Sequence, residues 1–210
     1  MKVYKDEFRP AVEAFRGRHF PEHDREDPVI LHREEIKGKR GYFAPLQEEE
    51  RRISFDMDLL SILGNSRYDL ITVVLDKRMF FARCGDEADP YIRCLWELLD
   101  GYWAFLGTRQ ETGDVLGEAR KEHLDQQIRN AYKRYYDFNP DSQSLLTSKE
   151  VKLKPKTNDI LGTQLADLLA HPTKQDILIG RGLLDDTGAF TRRVCEKIQE
   201  KYVAKAFVEA

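Results

Sequence analysis

At 210 residues with 41% hydrophobic side chains, the chain is long enough for one ordinary core and too apolar to be disordered. Its 34 Lys and Arg against 37 Asp and Glu leave a net charge of −3, which excludes a uniformly basic nucleic-acid binder but leaves room for a local basic groove around an acidic site. No run approaches ~18 apolar residues, so no membrane span is expected.

The charged stretch from Met1 to Phe15, broken by Pro10, lacks an apolar run and is not expected to act as a signal peptide. Cys84, Cys94 and Cys195 fit neither a zinc pattern nor a disulfide framework and read as free thiols of a reducing cytoplasm. In chain order, Phe8, Val12 and Phe15 stand at helical spacing, with Pro10 confining or kinking that helix. Residues 16–27 are polar and predict a loop. Val29, Ile30 and Leu31 predict a short strand. Residues 34–52, charged and carrying Gly38, Gly41 and Pro45, predict an exposed excursion. Ser54 suits the cap of a helix running to Leu63 and stopping at Gly64-Asn65.

The run from Asp69 to Asp76 is continuously apolar and β-branched, which predicts a central strand buried on both faces. Asp89-Pro90 supplies a cap and a first-turn proline for a helix ending at Gly107. Residues 112–117 form a weaker strand candidate. Leu124, Ile128 and Tyr132 mark a helix from about Lys121 to Tyr136, and Asn139-Pro140 opens a turn. Residues 145–153 are strand-like. Asp159 suits the cap of a helix that His171 closes just before Pro172, and a last helix is predicted over 189–206. Alternation of strand and helix argues for an α/β fold with a partly parallel sheet, whose functional crevice lies beyond the carboxyl ends of the strands.

That placement singles out a few side chains. Asp76 ends an apolar strand, as a crevice carboxylate or a helix-capping one. Glu118 follows the next strand, as a ligand or as an ion-pair partner of Arg120. Asp167 lies inside the almost wholly apolar stretch 160–170, where a charge must be paired or metal-bound, and Gln164 shares its helical face. Three carboxylates on separate elements are the donor type that holds Mg²⁺ or Mn²⁺ for phosphodiester hydrolysis. Lys77, Arg120, Lys152, Lys154 and Lys156 are candidate phosphate contacts, the lysine run 149–156 reading also as a solvated strand edge. His32 is a candidate acid or phosphate contact.

Together the stretches Val29-Ile-Leu-His-Arg-Glu-Glu-Ile36, Thr72-Val-Val-Leu-Asp-Lys77, Gly117-Glu-Ala-Arg120 and Gly162-Thr-Gln-Leu-Ala-Asp-Leu-Leu-Ala170 resemble the bacterial and phage family called domain of unknown function 3800. The resemblance covers about residues 5–172 and leaves 173–210 as a helical extension of a single domain spanning 1–210. It implies a ribonuclease H-like fold and a nuclease-like site in which Asp76, Glu118 and Asp167 are the acidic residues and Gln164 belongs to the late-helix motif. Glu118 and Asp167 are then expected to lie close enough to share one or two ions.

The family's opening strand, with its Asp-Glu-Ser motif, has no counterpart here, and Asp6-Glu7 is no substitute. This leads to the expectation of an uncovered sheet edge, self-association through it, and little or no cleavage of nucleic acid unless Asp6 or Asp24 supplies the ligand. Two other readings stand beside the nuclease: a non-catalytic remnant that binds nucleic acid or protein, and a hydrolase of small phosphoesters, which a closed pocket in place of an open groove would favour.

Overall fold

The computed structural model describes residues 4–23 and 26–209. Helices alternate with short strands that pair in parallel, so the chain belongs to the α/β class. It divides into two compact units, the first comprising residues up to 69 and 159–201, the second 70–158 and 202 onward.

The first unit is helical. A π-helical turn at Tyr4–Phe8 leads into α1 (Arg9–His19), with Pro10 in its first turn, where a missing N–H costs nothing. The predicted loop therefore starts four residues later than expected, because Phe15 and Arg16 are buried and hold the helix on course. Helix α2 (Arg33–Gly38) and a 3₁₀ segment (Gly41–Gln47) occupy the stretch read as an exposed excursion. Its glycines and charges concealed Phe43, which is fully buried and packs edge-on to Phe20 and Phe55 at 5.3 and 6.1 Å between ring centroids. Phe55 in turn meets Phe15 at 5.0 Å and His19 at 5.4 Å. Such ring pairs add about 0.5–1.5 kcal/mol each beyond burial, and the cluster ties α1 and the 3₁₀ segment to α3 (Glu49–Asn65). Helix α3 begins five residues before Ser54, which is interior to it.

Helix α7 (Leu161–Gly180) runs straight through Pro172, where closure was expected. The proline removes the donor that Leu168 O would use, yet Leu168, Leu169, Thr173 and Ile177 are buried along one face, and that packing carries the helix past the break. The Thr173 hydroxyl donates to Leu169 O at 2.9 Å. Helix α8 (Ala189–Ile198) packs on α3 and α7.

The second unit carries the strands. β1 (Leu70–Leu75) lies where the β-branched run predicted, but it is not a central strand. It pairs in parallel with β4 (Tyr202–Val208) in a two-stranded sheet, and its residues are half-buried. The predicted last helix stops at Ile198, so residues 202–208 are no helical extension. Burial alternates along 202–206, as in a strand covered on one face.

Helix α4 (Lys77–Cys84) follows β1 directly. Helix α5 (Pro90–Arg109) is capped by Asp89, whose carboxylate accepts from Tyr91 N and Ile92 N. Gly101 brings α5 close to β1, since a Cβ there would stand 3.1 Å from Ile71 Cγ2. β2 (Leu116–Glu118) pairs with β3 (Lys152–Lys154) in parallel, both shorter than predicted, and α6 (Glu122–Phe138) joins α5. The core here is Leu99, Leu106, Tyr132, Tyr135, Tyr136, Leu146 and Val151. Each buried tyrosine hydroxyl needs a partner: Tyr132 donates to Ser148 O at 2.8 Å and Tyr135 to Asp100 Oδ1 at 2.7 Å.

Candidate functional site

Asp167 stands in the middle of α7, where neighbouring apolar residues suggested a buried charge. Its side chain is instead 37% exposed, and the stretch is amphipathic enough to turn it outward. The carboxylate faces the start of α2. His32, at the cap position, has extended backbone and no side-chain capping bond, so the first N–H of that helix needs another acceptor. Arg33 N–H donates to Asp167 Oδ2 at 2.9 Å. A carboxylate at a helix N-terminus is favoured by the dipole as well as by the bond.

The His32 imidazole sits beside this contact. Its Nε2 is 3.8 Å from Asp167 Oδ2, and its Nδ1 is 3.3 Å from Glu35 Oε1. The second approach is within reach of charge attraction but off the line of a hydrogen bond, and Nδ1 is otherwise buried without a partner. Two predicted residues, His32 and Asp167, are thus brought together. Glu35, one turn along α2 from His32, was not singled out, although its i, i+3 spacing from a candidate histidine was a readable signal.

Gln164 belongs to a different structure. Only 4% exposed, its Oε1 accepts from Leu31 N at 2.8 Å and from Arg16 Nη2 at 3.1 Å, while its Nε2 donates to Asp159 Oδ1 at 2.8 Å. Arg16 also grips Asp159 with both terminal nitrogens, at 2.7 and 3.1 Å. Burial pushes the Asp159 carboxyl up, and the hydrogen bonds from Arg16 and Gln164 more than reverse this, so it sits below the usual carboxylate range.

Three expectations are corrected here. Gln164 is committed to the interior and is not open to substrate. Residues 29–31 form no strand, because the Leu31 N–H is satisfied by the Gln164 amide in place of a neighbouring strand. Asp159 likewise does not cap α7; it holds a left-handed backbone, φ 47°, and serves the arginine.

The other predicted residues lie in the second unit. Asp76 caps α4, its Oδ1 accepting from Arg78 N at 2.9 Å and Met79 N at 3.2 Å. Lys77 is exposed, with Nζ 5.0 Å above the Tyr91 ring. Glu118 is exposed on β2, in register with Lys154. Arg120 is exposed; its N–H donates to the buried Asp125 carboxylate at 2.8 Å. Lys156 opens a short 3₁₀ turn after β3. Lys152 and Lys154 are exposed, as a solvated strand edge requires, and Lys152 is hydrogen-bonded to Asp114. The acidic residues that the resemblance assigns to one site are therefore divided: Asp167 in the first unit, Asp76 and Glu118 in the second. Asp6 is exposed in the N-terminal π-helical turn, and Asp24 lies outside the described residues.

A cavity of about 560 Å³ opens in the first unit. Its floor is apolar, from Leu59, Leu63, Leu168 and Val194. Its rim is cationic, from Arg33, Lys37, Lys39 and Arg52. Lys37, Lys39 and Arg52 fall within the stretch read as a solvated excursion, and Arg33 lies just before it. Arg33 and Lys37 are four apart on one helical face, which was the available signal. His171 also lines the cavity. Burial, with help from Arg33, Lys174 and Lys37, lowers its pKa and favours the neutral ring.

No family model matches the chain, and no curated protein or solved structure does either. No helix among the described residues is long and apolar enough to cross a membrane.

Proposed function

We propose that the chain is a divalent-metal-dependent phosphodiester hydrolase, nuclease-like in chemistry, ribonuclease H-like in fold, and cytoplasmic. What supports this reading is the grouping of Asp167 and Glu35 about the His32 imidazole, half-exposed and beside the cationic Arg33. Among the described residues no three His, Cys, Asp or Glu side chains are gathered to cage a metal. The donors fit the sparser kind of site that Mg²⁺ or Mn²⁺ occupies, where one or two carboxylates suffice and water and substrate phosphate complete the shell.

Asp167 is the residue that would hold the ion, with water and substrate phosphate completing the shell; when bound, the ion would polarise the phosphoryl oxygen and acidify water. Arg33 N–H fixes the orientation of the Asp167 carboxylate. His32 Nε2 is the candidate proton donor to the departing oxygen, and Glu35, 3.3 Å from Nδ1, helps to position the ring. Asp76 and Glu118 remain the further acidic residues of the resemblance, and Lys77, Arg120 and Lys156 candidate phosphate contacts. The open edges of the β1–β4 pair are the proposed route of self-association.

The test is cleavage of single- and double-stranded DNA and RNA with Mg²⁺, Mn²⁺ or chelator. Metal-dependent cleavage should disappear in Asp167→Asn and fall at least about a hundredfold in His32→Gln, with circular dichroism unchanged. Absence of cleavage in the parent chain, or full activity in Asp167→Asn, would overturn the proposal. Binding without cleavage would favour the non-catalytic remnant.

A further inference from the structure

We propose that the cavity of the first unit is a binding site for a small phosphomonoester with an apolar body, of nucleoside monophosphate size. This goes beyond the hydrolase reading and does not depend on Asp167. The volume of about 560 Å³ falls within the range of small-molecule pockets, which are mostly apolar with a few placed polar groups. The apolar floor and cationic rim define a ligand with the same two faces.

The charge balance favours an anion. Of the acidic residues at the cavity, Asp186 is already held by Arg192, whose Nη2 lies 2.7 Å from both carboxylate oxygens. Asp56 is half-buried, and that burial pushes its carboxyl up despite Arg52, Arg193 and Lys39 nearby. Against them, Lys37 and Lys39 make no ion pair among the described residues and remain available. Lys39 also holds a left-handed backbone, φ 48° and ψ 51°. That conformation is the left-handed cap that closes α2, where glycine is the residue most at ease.

Directional donors complete the case. Helix α8 begins at Gly188 without a side-chain cap, so the N–H groups of Ala189, Phe190 and Thr191 have no intrahelical acceptor. Gly188, Phe190 and Thr191 line the cavity. The Nδ1 of His171, another lining residue, is buried and makes no hydrogen bond. Lysine ammonium groups together with successive helix N–H groups suit the three terminal oxygens of a phosphate better than the two of a carboxylate.

The experiment is calorimetric titration of the full chain with adenosine monophosphate, inorganic phosphate and adenosine, alongside amide NMR spectra. The variant is Lys37→Ala with Lys39→Gly. Lys37 is an exposed helical residue, and glycine relieves the left-handed backbone at 39, so the fold is retained.

Adenosine monophosphate should bind, shift the Phe190 and Thr191 amides, and lose at least about tenfold in affinity in the double variant. Inorganic phosphate should bind more weakly, and adenosine alone more weakly still. No binding of adenosine monophosphate at millimolar concentration would overturn the inference. So would affinity unchanged in the double variant, amide shifts confined to other helices, or equal affinity for inorganic phosphate, which would leave the apolar floor unused.

Discussion

The two units satisfy their buried polar groups in opposite ways. The first has no strand among its described residues, and it stabilises its interior with side chains brought from far apart in sequence: Arg16 from α1, Asp159 and Gln164 from the start of α7, and the backbone of Leu31. The second pairs backbone with backbone in β1–β4 and β2–β3, and its tyrosine hydroxyls make single bonds, Tyr132 to Ser148 O and Tyr135 to Asp100 Oδ1. A side-chain network fails if one member is removed, whereas a ladder of backbone bonds tolerates changes of side chain. The histidine–carboxylate cluster and the cationic cavity both lie in the unit of the first kind, where single substitutions act most strongly.

The sharpest test of that contrast is Arg16→Met. It leaves Asp159 partly buried without its bidentate partner, and removal of one member of such a pair costs about 3–5 kcal/mol. Urea denaturation should show that loss, whereas Tyr135→Phe, which deletes one hydroxyl bond in the second unit, should cost about 1 kcal/mol. Similar costs for both would erase the distinction.

The aromatic cluster gives the next measure. Phe55→Ala should cost about 3–5 kcal/mol by opening a cavity where four rings meet, and Leu99→Ala in the second core about 2–5 kcal/mol. Hydrogen exchange should show the first change lowering protection in α1 and α3, and the second lowering it in α5 and α6.

Smaller effects sharpen the picture. Gly101→Ala sets a methyl 3.1 Å from Ile71 Cγ2 against the helix-propensity gain of about 1 kcal/mol, so the two should nearly cancel and leave the urea midpoint within about 1 kcal/mol of the parent. Asp76→Ala removes the α4 cap and should cost about 1 kcal/mol. If Asp76 is only a cap, Asp76→Asn should retain both stability and any metal-dependent activity.

The last prediction concerns acid. The Asp159 carboxyl lies below its ordinary value in the folded chain. The unfolded chain therefore binds this proton more readily, and the stabilisation is fully present above the unfolded pKa of about 3.9 and lost as pH falls through the lower folded value. Stability measured from pH 5 downward should fall less steeply in Asp159→Asn than in the parent.

The sequence announced local structure better than long-range structure. β1 was readable because its apolar run is uninterrupted, α5 because Asp89-Pro90 marks its start, and α6 because its apolar residues recur every fourth position. β4 was not, since nothing breaks the chain between Ile198 and Tyr202 and its state is set by pairing with β1. Gln164 looked like a site residue because an amide in an apolar helix is conspicuous. Its partner Arg16 is far away in sequence, so the structural role was invisible. His32 and Asp167 were both picked out and do meet, whereas the cavity was missed because its cations sit among residues that resemble any solvated segment.

The parallel pairing of residues 70–75 with residues 202–208 also bears on how the chain comes into being. A ribosome makes β1 well before β4, and the segment that completes the helical unit, 159–201, follows the whole of 70–158. Until residues 202–208 have been made, the nascent chain presents an unpaired, β-branched strand, the kind of surface that chaperones hold and that aggregates when they do not. Contacts of such wide sequence separation also slow folding after release. Yield from rapid expression should therefore depend on chaperone supply and temperature more than the chain's equilibrium stability alone would suggest.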